Sequence, residues 1–68
     1  MTILRALRME RRLPIVEVAF HVGMDDGTYS KAERGFKRFP ERVRGKIAGF
    51  FGVEQDELFE ESGYARKN

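Results

Sequence analysis

The chain has 68 residues, enough for one small domain with a marginal core. It carries no cysteine and one histidine, which excludes disulfides, thiolate metal sites and a histidine-built metal centre. No apolar run approaches the ~20 residues of a membrane span, and a soluble, cytoplasmic protein is expected.

The net charge of +2 hides an uneven distribution. Residues 1–52 hold eleven Lys/Arg against six Asp/Glu, while residues 53–68 hold two against five. A basic body with an acidic end suits a polyanion on one side; a merely solvated mixed surface is the alternative.

Thr2 is placed to cap a first helix over Ile3–Arg12, with Ile3, Leu4 and Leu7 on one face. Leu13 and Pro14 then form a link, and proline is tolerated in the first turn of the helix that follows. The segment from Ile15 to Val22 is ambiguous. Val18, Ala19 and Val22 fit the buried face of a helix, but Val16, Val18, Phe20 and Val22 also alternate with the period of a strand. Gly23 stands where a helix would close in the left-handed conformation. Asp25 is a good N-cap for a helix over Asp26–Arg34, which Gly35 ends. Helix, short glycine turn and helix over residues 15–35 is the layout of a helix-turn-helix.

Residues 35–40 form a basic loop, in which Phe36 and Phe39 are expected to anchor the chain to the core. A fourth helix is expected over Glu41–Phe51, with Val43, Ile47, Ala48 and one of Phe50 and Phe51 facing inward, and Gly52 stopping it. A short fifth helix over Glu54–Glu60 offers Leu58 and Phe59. Residues 62–68 read as a flexible tail to a domain of residues 1–61.

The order and spacing of these pieces resemble the lambda-repressor-like (XRE, or Cro-type) helix-turn-helix domain. The resemblance rests on Leu7-Arg8, on Ala19 followed by Val22-Gly23-Met24, and on the run from Asp25 to Gly35. It continues with Pro40, with Lys46 to Val53, and with a closing Asp-Glu-Leu-Phe at Asp56 to Phe59. It resolves the Ile15–Val22 ambiguity as helix. It implies an all-α, compact five-helix fold that binds double-stranded DNA as a homodimer, without cofactor or catalysis, and acts as a transcriptional regulator, a repressor. No nucleophile–base pair, metal cluster or phosphate-cradling glycine loop argues otherwise.

The resemblance also implies site roles. Asp26, Gly27 and Lys31 take base-edge positions, with Thr28 and Ser30 nearby. Lys31 can donate to guanine O6 and N7, and Asp26 can accept from a cytosine amino group or merely complement the helix dipole. Gly27 offers no side chain where the family often reads a base. Arg34, Lys37, Arg38 and Arg42 are expected to grip phosphates, which fixes register without reading sequence. Tyr29 turns its ring inward, and its hydroxyl must reach water, a phosphate or a polar partner, of which a phosphate is the assignment. Arg8 and Glu33 would form an ion pair tying the first helix to the third. Phe50, Phe51, Leu58 and Phe59 would supply the dimer interface. The chain departs from the family at Ile15, which stands where a phosphate-touching glutamine is common. Ile15, Val16 and Phe20 fall at usually polar positions and suggest an apolar patch for a protein partner. The alternative function is accordingly a protein-interaction module that has kept the fold but reads DNA weakly.

Overall fold

The computed structural model describes residues 1–68 and contains five helices: α1 (Ile3–Glu10), α2 (Ile15–Val22), α3 (Asp26–Glu33), α4 (Glu41–Phe51) and α5 (Gln55–Leu58). The all-α architecture agrees with the expected fold. Four of the five helix starts have an identifiable local cause. The Thr2 hydroxyl accepts from the Arg5 amide at 3.2 Å and opens α1. The Asp25 carboxylate accepts from the Thr28 amide at 3.0 Å and opens α3. Pro40 precedes α4 with an extended ψ of 146°, and at α5 the Glu57 carboxylate reaches back to the Glu54 amide at 2.8 Å.

Helix α1 stops two residues before the expected end. Arg12 takes a positive φ of 56°, and the Arg12 and Leu13 amides bond back to the carbonyls of Met9 and Arg8. This closes the helix ahead of Pro14, which disfavours helical backbone in the residue before it. The strand-like alternation of residues 16–22 loses to packing, because only the helical arrangement buries Val18, Ala19 and Val22 together. Gly23, with φ 74°, ends α2, and the Met24 amide bonds to the Ala19 carbonyl at 2.9 Å.

The core runs from Leu4 through Val18, Val22, Tyr29, Phe39, Val43, Ile47 and Phe51 to Leu58, Phe59 and Ala65. Its centre is an aromatic row: Tyr29 meets Phe39 edge-on at 5.7 Å between centroids, and Phe39 meets Phe59 at 5.2 Å. Such geometry adds roughly 0.5–1.5 kcal/mol per pair beyond burial. The dimer assignment is corrected here. Phe51, Leu58 and Phe59 are each no more than 3% exposed inside one protomer, so they cannot form the surface of an interface. Phe50 alone of the four is half-buried, against His21 at 5.1 Å.

The expectation of a flexible tail is also corrected. Phe59 leaves α5 in extended conformation and pairs antiparallel with Ala65, and Lys67 pairs with Thr2. The Gly63 carbonyl accepts from the Phe39 amide at 2.9 Å, the Arg66 carbonyl from the Ile3 amide at 2.8 Å, and the Met1 carbonyl from the Asn68 amide at 2.9 Å. Ala65 is buried, and Gly63 turns with φ 98° where a Cβ would lie 3.2 Å from the Phe39 carbonyl oxygen. The closing segment therefore ties the start of α1 to the loop before α4. Deleting residues 62–68 is predicted to lower stability by about 2–4 kcal/mol, since buried amides lose their partners. Urea unfolding reads this directly; an unchanged midpoint would restore the tail to a passive role.

Candidate nucleic-acid interface

Helix α3 is held from behind by a buried ion pair. Arg8 Nε donates to Glu33 Oε2 at 2.7 Å and Arg8 Nη2 to Oε1 at 3.0 Å, a bidentate fork. Arg8 Nη1 also donates to the Leu13 carbonyl at 2.7 Å, and the Thr2 hydroxyl donates to the Glu33 carbonyl. Glu33 is 1% exposed. Its hydrogen bonds hold the Arg8 proton more tightly than usual, an effect that outweighs the opposing cost of burial. One side chain from α1 thus fixes α3 and the turn into α2 together.

Tyr29 sits beside this pair on the inner face of α3. Its assignment to a phosphate is corrected: the residue is fully buried, and its hydroxyl faces inward beside Glu33 without a hydrogen bond of good geometry. Burial raises the phenol's pKa well above its ordinary range, and the Glu33 charge raises it further. The phenol stays protonated and out of reach of any ligand outside.

The outer face of α3 is open. Asp26, Gly27, Lys31 and Arg34 are exposed, and Thr28 and Ser30 are half-buried beside them. Gly27, Lys31 and Arg34 recur at helical spacing and make one stripe. The bareness of Gly27 has a local cause as well, since a Cβ there would lie 3.2 Å from the Asp25 Oδ2 that caps the helix. Thr28 Oγ lies 3.4 Å from that same oxygen, so its hydroxyl leans toward the cap. Asp26 lies in the first turn, where the helix dipole favours a negative charge.

Lys37, Arg38 and Arg42 are exposed past the end of α3. The protein contains one ion pair, Arg8–Glu33, so Lys31, Arg34, Lys37, Arg38 and Arg42 are all free of carboxylate partners. The two loop phenylalanines part company. Phe39 is fully buried as expected, but Phe36 is 76% exposed, a correction to its reading as an anchor. The Arg34 guanidinium lies 5.5 Å from the Phe36 ring centroid. Nothing in the alternation of residues 36–39 told the two apart.

On α2, Ile15 packs partly against the core, whereas Val16 is 58% and Phe20 82% exposed, one turn apart. Away from α3, a shallow concavity of about 520 Å³ is lined mostly by charged side chains of α4, α5 and the closing segment, among them Glu41, Arg44, Asp56 and Arg66. No three His, Cys, Asp or Glu side chains gather to hold a metal, and no helix is long and apolar enough to cross a membrane.

A family model described as a helix-turn-helix domain matches residues 2–61. The chain belongs to the helix-turn-helix domain family. This agrees with the resemblance read from the sequence and places the chain among DNA-binding regulators; no curated protein and no solved structure matches it. Within the helix-turn-helix unit α2 and α3 form the pair, Gly23 makes the turn, and α3 is the helix presented outward.

Two substitutions test this arrangement. Arg8→Ala leaves Glu33 charged and unpaired in the core and is predicted to cost about 3–5 kcal/mol in unfolding free energy. Tyr29→Phe removes a buried hydroxyl that lies beside Glu33 without a well-formed hydrogen bond, and is predicted to change stability by no more than about 1 kcal/mol in either direction. DNA affinity should not change in the second variant, and a clear loss of affinity would return Tyr29 to the interface.

Proposed function

We propose that this protein is a sequence-specific transcriptional regulator, a repressor, that inserts α3 into the major groove of DNA. The observation that carries the proposal is the unpaired cationic set around the outer face of α3: Lys31, Arg34, Lys37, Arg38 and Arg42. Lys31 sits in the last turn of α3 on its exposed face, from which a long ammonium side chain can reach guanine edges. Asp26, Thr28 and Ser30 frame it and add base contacts, with Gly27 allowing close approach. The loop cations and Arg42 follow the helix in an exposed group suited to gripping phosphates and so setting register.

A homodimer on a roughly palindromic operator follows from two considerations. One helix with so few reading side chains specifies too short a site, and a second copy doubles it. The Cα envelope measures 25 × 22 × 21 Å. A domain of that size can be paired on DNA with its two α3 helices about one turn, ~34 Å, apart. Occupying such a site in the cytoplasm of a bacterial or phage-infected cell blocks transcription without further contacts, which is why repression is preferred to activation.

The second reading, an interaction module, draws on the exposed Val16 and Phe20 of α2. Binding to genomic fragments across a salt series, with footprinting of any retained fragment, decides between them. The repressor reading expects a protected two-fold site and a log–log salt slope near 0.9 per phosphate contacted. Reversing Lys37 and Arg38 to glutamate should then lower affinity by roughly two orders of magnitude or more at low salt. Weak, uniform DNA binding, with a protein partner lost on Phe20→Ser, would favour the module instead.

A further inference from the structure

We propose that Phe36 is itself a DNA-contacting residue, whose ring packs on the apolar surface at the edge of the groove, the deoxyribose carbons and thymine methyls beside Arg34. This rests on the DNA-binding reading above and adds to it a contact that is neither a charge nor a base hydrogen bond.

The position of the ring carries the argument. Gly35 turns with φ 93°, and the Phe36 amide bonds back to the Lys31 carbonyl at 3.0 Å, so the chain reverses tightly at the end of α3. Phe36 is left outside at 76% exposed, while Phe39, three residues on, is wholly buried. An exposed phenylalanine forgoes most of the stabilisation that burial would give it. The core gives no use for the ring, but its surroundings do. It lies under the Arg34 guanidinium, the last member of the exposed α3 stripe, and next to Lys37 and Arg38. A polyanion drawn onto those cations must cover the ring as well.

Charge complementarity selects the occupant. The other exposed apolar pair, Val16 and Phe20, stands on a helix whose first turn carries Glu17 and whose second carries no Lys or Arg. Phe36 instead has cations on both sides and no carboxylate paired to them. Phenylalanine contacts with thymine methyls and with sugar carbons need no charge, so they release no counterions. The ring should therefore add affinity that salt does not remove.

The test is a fluorescence anisotropy titration of a mixed-sequence duplex about two helical turns long, repeated across a salt series. The full-length wild type is compared with Phe36→Ala, Phe36→Leu and Arg34→Ala, and thermal unfolding confirms that each variant is folded. The expected result is a loss of about tenfold for Phe36→Ala at every salt concentration. Its log–log line should run parallel to that of the wild type, with part of the loss recovered by Phe36→Leu. Arg34→Ala should instead flatten the slope by roughly 0.9. Unchanged binding by Phe36→Ala would overturn the proposal. So would a flattened slope matching that of Arg34→Ala, because the ring would then only support the guanidinium. A wild-type chain that binds no duplex at any salt concentration would instead remove the DNA-binding reading, and the Phe36 contact with it.

Discussion

The structure depends on the Arg8–Glu33 pair. Burying two charges is expensive, and the cost is recovered only when geometry and additional hydrogen bonds are good. Here both carboxylate oxygens are met by the guanidinium fork, and the remaining arginine nitrogen serves the Leu13 carbonyl. The result is a three-way joint between α1, the α1–α2 turn and α3. Thr2 adds a fourth attachment through the Glu33 carbonyl. A pure hydrocarbon contact at this place would bury as much area, but would not fix the rotation of α3 about its axis. The pair does fix it, and rotation decides which side chains face outward.

With α3 held on that face, the polar and cationic residues have only one side left. Tyr29 and Ala32 fill the interior beside Glu33, and Lys31 and Arg34 fall on the opposite side. The Tyr29 hydroxyl is the cost of this arrangement: a buried polar atom without a well-formed hydrogen bond, tolerated because the ring is needed against Phe39. The closing segment contributes at the other end of the same joint. It bonds to Ile3 and to Phe39, and so braces α1 against the loop that carries the free cations.

Much of this was legible in the sequence because it is local chemistry. Asp25, Gly23, Gly52 and Thr2 mark helix ends through caps whose geometry requires their residue types, and α4 falls at its expected limits. What was not legible depends on the third dimension. Residues 62–68 are polar and short, and their order comes from backbone amides of Ile3 and Phe39, which carry no side-chain signature. Phe36 and Phe39 have the same side chain, and only the turn at Gly35 sends one out and the other in. Phe51, Leu58 and Phe59 satisfy a core as readily as an interface. In a domain this small the core claimed them first, because little other apolar area was available to it.

We propose that α3 and the loop after it form one rigid surface that DNA covers. Backbone amide NMR during titration with duplex DNA tests it most directly, since it locates contact without altering the protein. Shift changes are expected to concentrate at Gly27, Lys31, Arg34, Phe36, Lys37 and Arg38, with Ala65 and the core amides of α4 unmoved. Changes centred on Val16 and Phe20, or spread through the core as α3 reorients, would contradict it.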